Sequence, residues 1–245
     1  MNATHPRKLL IISYLFPPAG GVAVQRALSL AKYLPGCGYS VHVLRARNAS
    51  APVEDPGLLK HVPASVTVHT AFTPELPFRF RQRVWGWLSR GSAQPATASA
   101  RRSSGGGWKQ WTRRLVRRIL CPEPEVLWVP FALRKARRIV RQNGIEAVLV
   151  TAPPFSAFLV GNALKRELPA LKLISDFRDS WLQFYAATFD FQQSDYIRRR
   201  SAEIERETVE RSDYVVTVTH SIRTELRTRY PEQPDEKFVF IPNGY

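Results

Sequence analysis

At 245 residues, with 44% hydrophobic and 11% aromatic content, the chain can bury a full core, which excludes wholesale disorder and allows one large α/β domain or two small ones. Lys and Arg number 36 against 20 Asp and Glu, a formal charge of +16, so negatively charged partners are the first to consider. Two cysteines, Cys37 and Cys121, and five scattered histidines exclude a disulfide scaffold and offer no zinc spacing, so no metal site is expected.

The first predicted element is Lys8-Leu-Leu-Ile-Ile-Ser13, a short apolar run of the kind found in a central parallel strand. Tyr14-Leu-Phe-Pro-Pro-Ala-Gly-Gly21 breaks regular structure. From Val22 to Leu34 the apolar residues Val24, Leu28, Ala31 and Leu34 share one helical face, and Pro35-Gly36 stops the helix. A second strand follows from Tyr39 to Leu44, and His42 and His69 both fall in strand-like runs, where a structural role is expected of them. Further along, the spacing predicts helices over 133–142, 155–168, 194–211 and 221–230. Strands are predicted over 147–151, 171–175, 214–219 and 237–241. This alternation predicts an α/β fold, a doubly wound, Rossmann-like parallel sheet with helices on both faces.

The charge is concentrated. No acid occurs between Glu75 and Glu123, and eleven cations fall in that stretch. Tryptophans and phenylalanines are interleaved with them. We read 78–120 as a basic, Trp-containing insertion: a Ser/Ala/Gly-rich flexible loop over 91–107, flanked by segments of helical character. Trp108, Trp111, Leu115 and Ile119 form an apolar stripe beside Arg113, Arg114, Arg117 and Arg118. Such a segment suits an anionic membrane surface, with Trp108, Trp111 and these four arginines as contacts. A solvated insertion packed on its parent domain is the plainer alternative. Nucleic acid ranks last, because no nucleic-acid motif accompanies the charge. With no signal peptide and no apolar stretch long enough to span a bilayer, the expected location is the cytoplasm, peripheral on the inner face of the plasma membrane.

Ligands of open parallel sheets bind outside the carboxyl ends of the strands, and three predicted strand ends carry candidate groups. At Gly20-Gly21 the backbone can approach a phosphate at a helix N-terminus, or simply turn tightly. At Asp176-Phe-Arg-Asp179-Ser-Trp181, Arg178 is a candidate clamp for a phosphate or carboxylate, and Asp176 or Asp179 a candidate proton acceptor. A surface ion pair is the alternative there. Ser156, in Thr151-Ala-Pro-Pro-Phe-Ser156, either caps the next helix or touches substrate.

Together these pieces resemble the N-terminal domain of glycosyltransferase family 4. The resemblance rests on Lys8 to Gly21 with Val24-Gln-Arg26, on Thr151 to Ser156, on Asp176 to Trp181, on Glu207 to Asp213, on Val216 to Thr219 and on Ile241-Pro-Asn-Gly-Tyr245. It covers the whole chain outside 78–120. The resemblance implies one half of a GT-B architecture and a retaining transfer of sugar from a nucleotide-sugar co-substrate, with no other cofactor. It also implies a glycan or lipid-linked acceptor bound by this half, as in polysaccharide biosynthesis. Gly20 and Gly21 would face the donor phosphates, Asp176 would contact the acceptor or move a proton with Arg178 and Asp179 in support, and Asn243-Gly244 would be the hinge to a second domain. The C-terminal nucleotide-sugar domain is missing from these 245 residues, so the expectation is a half-enzyme, inactive without that domain: a truncated product, one part of a split enzyme whose C-terminal domain is supplied in trans, or an acceptor-binding module. A non-catalytic membrane-surface or glycan-binding module is the alternative function.

Overall fold

A computed structural model describes residues 6–49, 51, 53–74, 111, 115, 118–185 and 195–244. The predicted loop 91–107 and most of the basic stretch lie outside these residues, as do Trp108, Arg113, Arg114 and Arg117.

Seven strands form one sheet: β1 (Arg7–Ser13), β2 (Tyr39–Ala46), β3 (Thr67–Ala71), β4 (Ala147–Ala152), β5 (Lys172–Phe177), β6 (Tyr214–Thr217) and β7 (Phe238–Phe240). Their order is β3-β2-β1-β4-β5-β6-β7, and every neighbouring pair is parallel. The doubly wound sheet expected from the sequence is therefore present. β1 is apolar along its length because both of its faces are covered, as in parallel sheets generally. Leu9 and Ile11 point into one cluster, Leu10 and Ile12 into the other. Burying each of these four side chains stabilises the fold by about 1.5–3 kcal/mol.

Helix α1 (Val22–Tyr33) covers one face through Ala27, Leu28 and Ala31. Helices α2 (Val129–Asn143), α3 (Phe158–Glu167) and α4 (Asp195–Arg211) cover the other. Helix α5 (His220–Arg229) links β6 to β7 and buries Ile222 and Leu226. Its N-terminus is capped by Thr219, whose hydroxyl accepts from the Ile222 N–H at 3.2 Å.

Two boundaries differ from the sequence reading for identifiable reasons. α2 begins at Val129 rather than 133, because Pro130 in the first turn lacks only an N–H that would have no partner there. α3 is preceded by a 3-10 turn, Phe155–Ala157, so its regular part starts at Phe158.

Strand register places the site. Ser13 of β1 pairs with Thr151 of β4, and Thr151 with Asp176 of β5, so three polar residues line up across the carboxyl ends of the central strands. The strand order turns around at β1, and the crevice beyond β1 and β4 is where such sheets bind ligands.

Candidate functional site

Asp176 is 1% exposed at the end of β5, and its carboxylate is fully engaged. Arg26, from the second turn of α1, donates from Nε to Oδ1 at 3.0 Å and to Oδ2 at 2.9 Å, and from Nη2 to Oδ1 at 2.8 Å. The Thr151 hydroxyl donates to Oδ2 at 2.7 Å. A charge removed from water this completely persists only when paired and hydrogen-bonded, and both conditions are met here. Arg26 also reaches outward: Nη1 donates to the carbonyl of Pro242 and to Oδ1 of Asn243, each at 3.2 Å. One guanidinium thus ties the first helix, the end of β5 and the predicted hinge together.

Arg178 departs from the role expected of it. Its fork is occupied by backbone carbonyls: Nε donates to Ala152 at 3.1 Å, Nη1 to Ala23 at 2.5 Å and Nη2 to Pro153 at 2.6 Å. It is a brace between α1 and the β4 turn, without the free fork that a phosphate clamp needs. Burial pulls its pKa below the ordinary value, with Asp176 and Asp179 pulling the other way. Asp179, half-buried, makes no hydrogen bond or ion pair among the described residues. The two carboxylates of the motif are therefore unlike: Asp176 is locked, Asp179 is available.

Ser156 caps no helix. Its backbone N–H donates to Oε1 of Glu123 at 2.5 Å, so a distant carboxylate takes the position the sequence assigned to the serine hydroxyl. The Ser156 side chain is completely buried and its Oγ has no partner among the described residues.

The two glycines answer to different demands. The Gly20 N–H donates to the Val53 carbonyl at 2.9 Å, and a Cβ there would stand 3.0 Å from the Asp55 Cβ. Its smallness serves packing against residues 53–55. Gly21 is exposed, with φ of 83° and nothing within 4 Å of a Cβ, so its requirement is conformational. Helix α1 starts immediately after it with no side-chain cap and no acid in its first turn, which leaves the positive end of the helix uncompensated.

The sequence profile of Glycosyltransferase Family 4 matches residues 90–245, well over half the chain. The chain belongs to glycosyltransferase family 4. No curated protein matches it. Among solved structures it is similar to apo UGT2 of Phytolacca americana, at 13% identity and a TM-score of 0.48 over 98% of this chain and 52% of that one. It is also similar to the N-terminal domain of Candida albicans trehalose-6-phosphate phosphatase, at 11% identity, TM-score 0.49, 98% of this chain and 48% of that one. A third is the glycosyltransferase SsfS6 of Streptomyces sp. SF2575, at 14% identity, TM-score 0.46, 98% and 56%. The chain spans about half the length of these structures.

In this family 4 chain, Arg26 is a functional residue that the sequence pattern alone does not mark. The available signal was a cation early in a helix, where the dipole disfavours it, with an acidic motif otherwise lacking a partner. A second network behind the site was not foreseen. Ser180 donates to Oε2 of Glu225 at 2.6 Å, Arg229 bridges Glu225 and Glu205 at 2.6 Å each, and Tyr230 donates to Glu205 at 2.8 Å. Burial pushes the Glu205 carboxyl up, against the pull of Arg229 and the Tyr230 hydroxyl. Of the predicted membrane contacts, Trp111 and Arg118 are described. Both are exposed, and Arg118 lies over the Tyr196 ring of α4 at 5.5 Å. Among the described residues no three His, Cys, Asp or Glu side chains come together as metal ligands, and no helix is long and apolar enough to cross a membrane.

Proposed function

We propose that this chain is the acceptor-binding half of a retaining, GT-B glycosyltransferase that moves a sugar from a nucleotide-sugar donor to a glycan or lipid-linked acceptor. The observation that carries the reading is the Arg26 guanidinium, shared between buried Asp176 and Asn243. It fixes the carboxyl end of the central sheet to the segment leading out of the domain, so that a donor-binding half joined there meets a rigid floor. Asp176 is a positioning residue for Arg26 and Thr151. Asp179, whose carboxylate is unengaged, receives the acceptor hydroxyl as a hydrogen-bond acceptor. Gly21 and the uncompensated start of α1 face the donor phosphates.

The test is transfer of labelled sugar from nucleotide sugars to a lipid-linked acceptor extract, by these 245 residues alone and joined to a family 4 donor-binding domain. Transfer only with that domain is expected. Transfer by the chain alone, or none in either arm, would defeat the reading.

The same half docks on an anionic membrane surface. Trp111, Leu115 and Ile119 are helical, spaced by four residues, and all exposed. Flotation with phosphatidylglycerol vesicles should be lost on Trp111→Ala combined with Ile119→Asp and should weaken with salt. Flotation unaffected by both changes would remove the membrane from the account.

A further inference from the structure

At the carboxyl ends of β1 and β2, away from Asp176, lies a cleft of about 90 Å³. Tyr14, Phe16, Arg45, Arg47, Asn48 and Glu54 are among its lining residues. Two of these residues carry the argument. Arg45 follows directly on the buried run Val41 to Leu44, and its Nη1 donates to the Ala46 carbonyl at 2.9 Å, yet its Nε–H is buried with no acceptor among the described residues. A buried guanidinium N–H without a partner is unfavourable, and burial pulls the group's pKa down from its ordinary value. Arg47 is exposed; its backbone N–H donates to the Ala71 carbonyl at 2.8 Å, and its side chain makes no hydrogen bond or ion pair among the described residues. Two guanidiniums thus line one cleft with donors to spare, the Nε–H of Arg45 and the fork of Arg47, unlike Arg26 and Arg178.

The walls are fixed. Asn48 is held by paired bonds with Thr73, Nδ2 to the carbonyl at 2.7 Å and the Thr73 N–H to Oδ1 at 3.1 Å. Tyr14 and Phe16 are buried. Glu54 lies on the segment that bridges to Ala19 in the β1–α1 turn. Its carboxylate repels a bare anion but accepts hydrogen bonds from hydroxyls. Guanidiniums for an oxyanion, with a carboxylate for hydroxyls beside it, make a combination matched to a phosphate carried by a sugar.

We infer that this cleft binds a sugar-phosphate portion of the acceptor, Arg45 and Arg47 holding the phosphate and Glu54 the neighbouring hydroxyls. The assignment to the acceptor rests on the reading of this chain as the acceptor-binding half. The cleft opens beside the β1–α1 turn, so a phosphate held there leaves the rest of the acceptor free to run past Gly20 and Gly21 toward the crevice at β4.

Calorimetric titration of the intact chain with glucose 1-phosphate and, separately, with inorganic phosphate tests this. Glucose 1-phosphate should bind saturably and more tightly than phosphate. Arg47→Gln removes no side-chain hydrogen bond or ion pair among the described residues and should weaken both by about ten-fold or more. Arg45→Gln should do the same, with an unfolding curve as the control for its fold. Glu54→Gln should weaken glucose 1-phosphate and strengthen phosphate, narrowing or reversing the preference. Absence of saturable binding, binding unchanged in both arginine variants, or phosphate binding as tightly as glucose 1-phosphate would each overturn the inference. Sugar transfer measured in parallel separates the two claims. Transfer that survives with no effect of Arg47→Gln on probe binding defeats the cleft alone. Probe binding lost in Arg47→Gln by a chain that never supports transfer defeats the acceptor-half reading and keeps the phosphate site.

Discussion

The carboxyl ends of β5 and β2 each present arginines, and the two ends are opposite in character. At β5, Arg26 and Arg178 have their donors distributed over Asp176, Asn243 and four backbone carbonyls. At β2, the Nε–H of Arg45 has no acceptor and the Arg47 side chain has no hydrogen-bond or ion-pair partner among the described residues. A charged residue at a strand end therefore says little about ligands until its partners are counted. Satisfied guanidiniums hold the fold in shape; unsatisfied ones are available to something from outside.

The largest expected effect tests the satisfied end. Asp176→Ala leaves the Arg26 guanidinium facing an empty site in a pair whose side chains are 9% and 1% exposed. Urea unfolding should show a loss of about 3–5 kcal/mol. If the loss is under 1 kcal/mol, the pair is not the anchor described here. Arg178→Ala should lose about 1.5–3 kcal/mol by the same measurement, since the carbonyls of Ala23, Ala152 and Pro153 lose a charged donor. Gly21→Ala should lose about 1–2 kcal/mol purely through backbone conformation, because φ is 83° and no atom stands within 4 Å of the added Cβ. A neutral Gly21→Ala would mean that the turn relaxes freely.

A smaller effect concerns pH. His42 and His69 stack with ring centroids 5.4 Å apart and share a 3.1 Å nitrogen–nitrogen contact. Burial first, then Lys8, pulls His42 below the ordinary imidazole value; burial, His42 and Lys135 do the same to His69. The folded chain therefore binds fewer protons than the unfolded chain just below the ordinary value. Their contribution to stability is complete above about pH 6.5 and is lost as pH falls below it. Thermal melts from pH 7.5 to 5 should show this decline, and His69→Gln should flatten it. An unchanged slope in that variant would assign the decline to other groups.

Much of the fold was legible in the sequence because apolar runs and helical periods reflect burial directly. Leu9 to Ile12 reads as a central strand since both sheet faces are covered, and Asn143-Gly144 reads as a helix end since Gly144 takes φ of 62°. The site was legible only as positions. That Asp176 and Asp179 lie at a strand end follows from spacing, but which one is engaged depends on Arg26, 150 residues away in sequence. The capping role of Ser156 failed for the same reason. Glu123 reaches the Ser156 N–H from 33 residues upstream, and no local pattern signals it. Long-range polar pairing is invisible to periodicity, whereas hydrophobic burial is not.

Whether the unengaged carboxylate meets the acceptor while the engaged one only positions is decided by Asp179→Asn in the sugar-transfer assay with a donor-binding domain joined. Transfer should fall about ten-fold or more, the scale of a lost hydrogen bond to a charged group, while the unfolding midpoint stays unchanged. Wild-type transfer by Asp179→Asn would contradict the account.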